Sequence, residues 1–368
     1  MLTTSRQLGR KRSKSFRILK EFDNHEMVIG ISDAKNGLRG YIAIHNTNLG
    51  PALGGTRWQH YPSEEAALRD VLNLSKAMSY KCAIAGLPWG GGKAVIFAEP
   101  DADREAQLRA YAKLVEKLNG LFKTGTDLGI FDSDVRKMAR HTQHMLGVSA
   151  ADRGDLTTSK TAALGVYYCI KAALDFAFGN ESVKGRTIGI KGVGKLGGEL
   201  VKLLSEDGAD LVIADIDTDK CQQIAQKCPG VKVVDPKEIH KEKLDIYSPC
   251  ALGNELSGRV IKELKTKIIA GGANNQLANE AVGDRLFEKG ILYAPDYVTN
   301  AGGLIYVADE LEPDGFHKER VLQRVKDLQV LLKHILTISK KENVPAHKVA
   351  NEIGLERILA GRAVNNGH

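Results

Sequence analysis

"GRTIGIKGVGKLGGELVKLLSEDGADLVIADID", residues 185–217, reads as an apolar strand, a glycine-rich turn, a helix and a second apolar strand. The turn matches the pattern GxGxxG at Gly192, Gly194 and Gly197, and Asp215 ends the second strand about 20 residues later. Such glycines let a pyrophosphate approach the backbone at a helix N-terminus, whose partial positive charge stabilises it. The stretch predicts a doubly wound Rossmann unit that binds a dinucleotide; a turn that binds nothing is the alternative.

The charges around the turn indicate which dinucleotide is bound. Asp215 would accept hydrogen bonds from the ribose hydroxyls and would repel a 2′-phosphate, so NAD is favoured over NADP. Lys195 lies inside the turn and would add a positive charge near the phosphates. We therefore predict NAD as the cofactor.

Outward from this stretch, strands and helices alternate, and 368 residues suffice for two domains. Two β-rich runs in residues 26–45 flank Asn36-Gly37, a hairpin signal. The polar string "ADRGDLTTSK", residues 151–160, precedes a long apolar helix and marks the predicted domain boundary. From about residue 317 the sequence is helical to its end. We predict an α/β fold with an N-terminal α/β domain, residues 21–150, and a Rossmann domain, residues 151–324.

The net charge of +7 belongs to one segment of the chain. Residues 1–20 contain seven Lys and Arg and no acidic residue, and the other 45 basic residues balance the 45 acidic ones. Such a tail is typical of a solvated, disordered arm; a transit peptide or an arm with weak affinity for polyanions are the alternatives. Apart from this tail, no nucleic-acid partner is expected.

The cysteines and the hydropathy pattern indicate a cytoplasmic protein. The five cysteines are odd in number, form no CxxC pair and lack His partners at zinc spacing, so we predict a reducing compartment and no metal. No apolar run approaches the roughly 18 residues of a membrane helix, and no secretory signal begins the chain.

Several long motifs are more specific than the glycine turn. They are "NLGPALGGTRW" (48–58), "EEAALRDVLNLSKAMSYKCAIAGLPWGGGKAVI" (64–96), "SPCALG" (248–253), "AGGANNQLAN" (270–279) and "APDYVTNAGG" (294–303). Over residues 26–368 the chain resembles the glutamate, leucine, phenylalanine and valine dehydrogenase family, and its pattern is nearest to the leucine-specific members.

The resemblance implies NAD-dependent oxidative deamination of an amino acid to a 2-oxo acid and ammonia, and the reverse reaction. It also implies a homo-oligomer whose N-terminal domain binds the substrate. In the family a cleft separates the two domains, and C-terminal helices, here residues 325–368, return to the first domain.

Three residues match the family's catalytic positions. Lys93 matches the lysine that acts as general base towards water, and Lys81 matches the lysine that binds the substrate α-carboxylate. A second cation such as Lys81 would help Lys93 to lose its proton. Asp127 matches the carboxylate that exchanges a proton with the substrate nitrogen. Gly90–Gly92 are expected to let substrate and nicotinamide approach the loop that carries Lys93.

The resemblance also indicates an apolar substrate. Leu53 stands where glutamate enzymes carry a lysine, and Val307 where they tend to carry a serine, so a substrate carboxylate would be left unpaired. Gly125 matches the phenylalanine enzymes and Val307 the aliphatic ones, while Leu304 is neutral. Leucine or another branched-chain amino acid is our first prediction, and a preference for phenylalanine or valine is the alternative.

The remaining predicted site residues lie in the quoted motifs. Those assigned to the substrate are Gly54, Gly55 and Asn275, and those assigned to the cofactor are Cys250, Ala251, Asn274 and Asn300. One departure concerns the nicotinamide: the family usually has Thr where this chain has Ala162, with Thr161 one place away. Either Thr161 substitutes or nicotinamide is held less well, and this departure leaves a non-catalytic homologue as an alternative.

Overall fold

The computed structural model describes residues 21–99, 102–148 and 156–365. The predicted disordered tail, residues 1–20, lies outside this part of the chain. The described residues form two compact units. The first contains the residues up to Ser79 together with Trp89–Met145, and the second contains Tyr80–Pro88 and the residues from Leu146 onward. The predicted boundary near residue 150 lies close to this division.

The first unit is a six-stranded mixed sheet with helices on both faces. Its elements are β1 (Met27–Asp33), β2 (Leu38–Asn46), β3 (Ala52–Leu53), β4 (Thr56–Gln59), α1 (Glu64–Ile84, whose last residues belong to the second unit), β5 (Gly90–Phe97), α2 (Arg104–Lys117), β6 (Phe122–Lys123) and α3 (Asp132–Met138). The strand order is β1-β2-β5-β3-β6, and β4 pairs with β5. β1 and β2 form the predicted antiparallel hairpin, and Gly37 adopts the left-handed φ of 65° that its turn requires.

Alternate residues of β5 face two hydrophobic clusters. Ala94 and Ile96 pack with residues of α2 and α3, whereas Val95 and Phe97 pack with residues of α1. Side chains two apart in a strand share a face, so Lys93 lies on the same face of the sheet as Val95. This alternation decides on which face the polar site is built.

The second unit contains an entirely parallel six-stranded sheet. Its elements are α4 (Thr158–Phe178), β7 (Thr187–Lys191), α5 (Lys195–Glu206), β8 (Asp210–Ala214), α6 (Thr218–Lys227), β9 (Lys232–Val233), β10 (Ile246–Pro249), α7 (Val260–Glu263), β11 (Ile268–Ile269), α8 (Glu280–Glu288), β12 (Leu292–Tyr293), α9 (Asp296–Thr299), α10 (Gly302–Ala308), α11 (Lys318–Glu342) and α12 (Ala346–Asn365). The order β12-β11-β10-β7-β8-β9 is that of a Rossmann fold, which confirms the predicted unit.

Helix α4 is the central helix of the second unit. It has 21 residues and contains an 18-residue window with a mean hydropathy of 1.2, so by length and composition it could span a membrane, contrary to the expectation that no apolar run is long enough. However, it packs against α5, α10 and α11, and residues such as Cys169, Ile170 and Leu174 are fully buried in the core. Its apolar character is therefore explained by burial inside the unit.

The C-terminal helices differ from the expectation that they join the first domain. In the structure α11 and α12 belong to the second unit, where α11 packs against α4 and α12 packs against α11 and β12. Arg357 of α12 also donates hydrogen bonds to the carbonyl oxygens of Ala83 and Ile84, at 2.9 and 2.7 Å. These two residues, at the end of α1, are counted in the same unit.

Candidate active site

Charged side chains of the first unit meet around the carboxylate of Asp127. Lys93 of β5 donates a hydrogen bond from Nζ to Oδ2 of Asp127. Arg57 of β4 donates from Nε to Oδ1 at 3.0 Å, and the backbone N–H of Leu128 donates to the same oxygen at 2.6 Å. The structure thus brings together the predicted pair, Lys93 and Asp127. It adds Arg57, whose only signal in the sequence was its place at the end of the glycine motif "GGTR".

The two cations control the protonation of this carboxylate. Burial raises the pKa of Asp127, but the charges of Lys93 and Arg57 outweigh burial and hold the pKa at about 2. The Lys93 side chain is only 7% exposed and that of Asp127 is 19% exposed. Asp127 is therefore an ionised, largely desolvated carboxylate at neutral pH.

This depressed pKa predicts a pH-dependent stability. Because the folded-state pKa is about 2 and the usual value is 3.8, Asp127 stabilises the fold above about pH 4 and loses that contribution as the pH falls towards 2. The difference in free energy of unfolding between wild type and Asp127→Asn should shrink by about 2 kcal/mol over this window. Urea unfolding at several pH values measures it, and a constant difference would contradict the prediction.

Strand pairing explains why Arg57 and Lys93 reach the same carboxylate. β4 runs parallel to β5 with Arg57 opposite Val95, so Arg57 and Lys93 project from one face of the sheet. At Gly55 a Cβ atom would lie 2.4 Å from the Thr126 carbonyl oxygen and 3.0 Å from the Cβ of Asp127. The chain needs a glycine here so that the loop carrying Asp127 can approach β4.

The glycine run before Lys93 corrects an expectation. Gly90–Gly92 are buried residues of strand β5, not of an open loop. A Cβ at Gly91 would lie 2.2 Å from Ser79 Oγ, and one at Gly92 would lie 2.7 Å from the Phe122 ring. The space that the missing side chains leave is filled by neighbouring protein atoms, so these glycines let α1 and β6 pack tightly against β5.

Two predicted substrate positions of the first unit are buried near this cluster. Leu53, in β3, is fully buried and pairs with Gly91 of β5 and Lys123 of β6. Gly125 is buried two residues before Asp127, and its carbonyl oxygen accepts a hydrogen bond from Thr56 at 3.1 Å. The backbone before Gly55 is equally crowded, because a Cβ at Gly54 would lie 1.9 Å from the Gly92 carbonyl oxygen. The part of these residues in substrate binding stays a prediction.

Lys81 is placed with the second unit, in the segment Tyr80–Pro88. Burial raises the pKa of Asp296, a residue of the same unit, while the Gln276 backbone N–H and the charge of Lys81 act to lower it. Within the first unit, the second cation beside the Lys93 and Asp127 pair is Arg57. The role of Lys81 in binding a carboxylate therefore stays a prediction.

In the second unit, the predicted cofactor residues lie where the strand order reverses. Gly192–Gly197 follows β7 and leads into α5, and Cys250 and Ala251 follow β10, the strand beside β7. A Cβ at Gly192, which has a φ of 96°, would lie 2.6 Å from the Ala251 backbone nitrogen. Ligands of doubly wound sheets bind at this end of the sheet, outside the carboxyl ends of the strands.

Asp215, after β8, fixes the glycine turn from its other side. Its Oδ2 accepts a hydrogen bond from the Val193 backbone N–H at 2.7 Å, and its Oδ1 accepts one from the Asp217 N–H at 3.0 Å. Each oxygen retains a lone pair for a ribose hydroxyl. The carboxylate thus holds the turn through the Val193 N–H, and its remaining lone pairs can accept the predicted hydrogen bonds from the ribose.

Comparisons with known proteins match sequence in both units of the chain. Residues 25–148 match the model of the Glu/Leu/Phe/Val dehydrogenase dimerisation domain, and residues 211–365 match that of the glutamate/leucine/phenylalanine/valine dehydrogenases. A leucine dehydrogenase of Bacillus subtilis is 42% identical over 96% of this chain and 98% of its own length. The chain belongs to this family. It is therefore an amino-acid dehydrogenase, and NAD is its cofactor.

Two further relatives of this dehydrogenase act on aromatic amino acids, according to their names. A phenylalanine dehydrogenase of Thermoactinomyces intermedius is 44% identical over 91% of each chain. The crystal structure of an L-tryptophan dehydrogenase from Nostoc punctiforme superposes with a TM-score of 0.81 at 38% identity, covering 92% of this chain and 97% of that one. The family likeness thus extends to relatives with different preferred side chains.

The second unit of the dehydrogenase contains polar groups that suit NAD. Asn300 is 5% exposed, and its Nδ2 donates to Asn274 Oδ1 at 2.8 Å. Its Oδ1 is buried and has no hydrogen-bond partner among the residues that the structure describes. A buried acceptor without a donor is costly, and the carboxamide N–H of a nicotinamide is a donor of the required kind. Asn300 and Asn274 therefore fit their predicted role.

The structure shows how the Thr161 side chain is held in α4. Its Oγ1 donates to the carbonyl oxygens of Thr157 and Thr158, each at 3.0 Å, and the residue is fully buried. The hydroxyl is thus already used within α4. Ala162, the next residue of α4, has no hydroxyl group. Its Cβ faces Gly303 of α10, where an added Cβ would lie 3.6 Å away. The Thr161 oxygen keeps its lone pairs as acceptors, so its part in holding the nicotinamide stays a prediction.

The last three predicted substrate residues of the dehydrogenase are also in this unit. Asn275 adopts a left-handed φ of 52° after β11, while Leu304 and Val307 are half-buried on α10. Their contact with substrate stays a prediction.

The glycine turn offers a matched pair of substitutions. A Cβ at Gly197 would lie 1.9 Å from the Gly192 carbonyl oxygen, whereas a Cβ at Gly194, whose φ is −63°, meets no atom within 4 Å. We expect Gly197→Ala to lower the thermal unfolding midpoint. Gly194→Ala should leave it unchanged and weaken NAD binding about tenfold or more, because the methyl group occupies the path of the pyrophosphate. Calorimetry of NAD binding tests this, and unchanged affinity in Gly194→Ala would contradict it.

Proposed function

We propose that this enzyme catalyses the reversible oxidative deamination of an apolar L-amino acid to its 2-oxo acid and ammonia, with leucine and other branched-chain amino acids preferred. The observation that carries the proposal is the Lys93–Asp127 pair, with the fully buried Leu53 on β3, the strand that pairs with β5 at Gly91. An amine and a carboxylate in direct contact can divide base and acid work on one substrate.

Each charged group has a separate task in this proposal. The glycine turn Gly192–Gly197, Asp215 and Asn300 would hold NAD, which would supply the acceptor for the hydride of the substrate Cα. Lys93, in its neutral amine form, takes a proton from the water that attacks the resulting iminium carbon. Asp127 takes and returns the proton of the substrate nitrogen, so that ammonia can leave. Lys81 binds the α-carboxylate.

Two predicted substrate positions support an apolar substrate. Leu53 is fully buried and Val307 half-buried, and neither can donate a hydrogen bond to a carboxylate. A glutamate side chain in contact with either residue would remain charged and unpaired, which is costly where water is excluded. Glutamate should therefore be a poor substrate.

A preference for an aromatic amino acid is the second candidate. Gly125 adds no side chain two residues before Asp127, which would enlarge a pocket there. The relatives named as phenylalanine and tryptophan dehydrogenases, at 44% and 38% identity, are about as similar as the leucine enzymes. One methyl group in a pocket changes the relative binding of two substrates by only about 1–3 kcal/mol. Activity towards both aliphatic and aromatic amino acids is therefore compatible with this site.

The experiment follows NADH absorbance at alkaline pH with leucine, valine, phenylalanine, tryptophan and glutamate. The highest kcat/KM for leucine or valine, with negligible glutamate turnover, is the expected result. The highest value for an aromatic amino acid would favour the second candidate. If the protein binds NAD but forms NADH with none of the five amino acids, a non-catalytic homologue is favoured instead. Ala162→Thr is then the first substitution to make, because it restores the threonine usual in the family.

We also infer a cytoplasmic homo-oligomer. All five cysteines are free, which fits a reducing compartment, and residues 25–148 match a domain described as a dimerisation domain. Light scattering coupled to gel filtration tests the oligomer, and a monomer at micromolar concentration would contradict it.

A further inference from the structure

Arg57 binds two carboxylates at once. Its Nε donates to Asp127 Oδ1 at 3.0 Å, and its Nη1 donates to Oδ1 and Oδ2 of Asp70 at 3.1 and 3.0 Å. Asp70, on α1, also accepts a hydrogen bond from the Tyr61 hydroxyl at 2.7 Å. The Arg57 side chain is 23% exposed, so this chain of contacts is largely shielded from solvent.

The contacts differ between the two oxygens of Asp127. Oδ1 accepts from both Arg57 Nε and the Leu128 N–H, which together occupy its lone pairs. Oδ2 accepts only from Lys93 among the described residues, so one lone pair of Oδ2 remains for a proton from substrate. Arg57 therefore determines which oxygen of the carboxylate is presented.

We propose that Arg57, held in place by Asp70, is a positioning residue that orients Asp127 and sets its affinity for the proton it exchanges. This inference rests on the proposed function of Asp127. Lys93 alone would neutralise the carboxylate, but a lysine is a point charge, and together with the single Leu128 N–H it fixes the carboxylate less firmly than a planar guanidinium that is itself bound to two carboxylates.

Because Arg57 is shared by Asp127 and Asp70, substitutions of Arg57 and Asp70 should shift the Asp127 pKa in opposite directions. Removing the positive charge of Arg57 raises the pKa of Asp127, since an opposite charge at this range lowers a carboxyl pKa by roughly one or more. Removing the negative charge of Asp70 lowers the pKa of Asp127. A like charge near Asp127 is then absent, and the positive charge of Arg57 is no longer partly neutralised by Asp70. The described charged groups around Asp127 in the first unit are Lys93, Arg57 and, through Arg57, Asp70, with the Tyr61 hydroxyl behind it.

The test uses Arg57→Gln, Asp70→Asn and Arg57→Lys in the full chain. Arg69→Gln is the control, since Arg69 precedes Asp70 on α1 and pairs only with Glu21 and Glu65 among the described residues, at 3.0 and 2.7 Å. Two quantities are measured for each variant. The first is the pKa of Asp127 by carbon NMR of aspartate labelled at the carboxyl carbon, assigned with Asp127→Asn. The second is the pH profile of kcat/KM.

We expect the Asp127 pKa to rise by about one in Arg57→Gln and to fall by a few tenths in Asp70→Asn. At its optimum, kcat/KM should fall about 10- to 100-fold in Arg57→Gln, because the carboxylate is misplaced. Arg57→Lys should restore most of the pKa and less of the rate, and Arg69→Gln should change neither.

The proposal would be overturned if Arg57→Gln and Arg69→Gln changed the Asp127 pKa and kcat/KM equally. It would also be overturned if the Asp127 pKa moved in the same direction in Arg57→Gln and Asp70→Asn. If Arg57→Gln does not fold, Asp70→Asn alone still decides, since only a fall in the Asp127 pKa agrees with the proposal. Absence of turnover in wild type would contradict the proposed function instead, and the NMR titration would then decide the role of Arg57 without it.

Discussion

Replacing Lys93 by alanine reduces kcat by about 10³-fold or more, because the reaction loses the base that activates water. The protein should still fold: without Lys93 the carboxylate of Asp127 keeps its contacts with Arg57 Nε and the Leu128 N–H. NAD affinity should be unchanged, since the glycine turn and Asp215 belong to the other unit. Stopped-flow turnover and calorimetry of NAD binding measure the two quantities.

Lys171→Ala is the control for that variant. Lys171 is a half-buried lysine whose ion pairs with Glu181 and Asp207, at 3.7 and 3.9 Å, lie within the second unit. Its loss should leave kcat near the wild-type value. Retention of full activity by Lys93→Ala would refute the role given to Lys93.

Replacing Asp127 by asparagine should lower kcat about 10²- to 10⁴-fold, because an amide neither accepts nor returns a proton at the substrate nitrogen. The amide oxygen can still accept from Arg57 and Leu128, but its NH₂ group then faces the Lys93 ammonium, which also donates. A modest loss of stability, about 1–3 kcal/mol, should accompany the loss of activity. Kinetics and urea unfolding of the same preparation separate the two.

Asp134→Asn is the matched control for this second variant. Asp134 is a buried carboxylate of the same unit that also pairs with an arginine, Arg104, at 2.6 Å and accepts a backbone N–H, that of Phe131, at 2.9 Å. Its substitution should cost stability and leave kcat of the folded enzyme unchanged. An equal fall in kcat for both variants would indicate that Asp127 is only a structural residue.

The Rossmann unit could be predicted from local sequence because its signals are local. Strand, glycine turn, helix and Asp215 follow one another within 33 residues, and each is decided by residues close to it in the chain. The same holds for the hairpin, whose turn requires the left-handed φ at Gly37. Periodicity also predicted the long C-terminal helices, but not that they pack in the second unit, because an apolar face does not specify its partner.

In the first unit, the sequence predicted the charged residues of the site but not their contacts. Lys93 and Asp127 were predicted through motifs that resemble a known family, and their direct contact follows only from the fold. The run Gly90–Gly92 predicted a close approach correctly but not its partner, which is the protein itself.

By itself, the sequence determined the two α/β domains, the NAD-binding turn and the lysines and aspartate that match a dehydrogenase. Only the tertiary structure decided that Arg57 joins Asp127, 70 residues away, to Asp70. The physical reason is that an ion pair depends on distance in space, and the register of β4 on β5, not the spacing of residues in the chain, sets that distance.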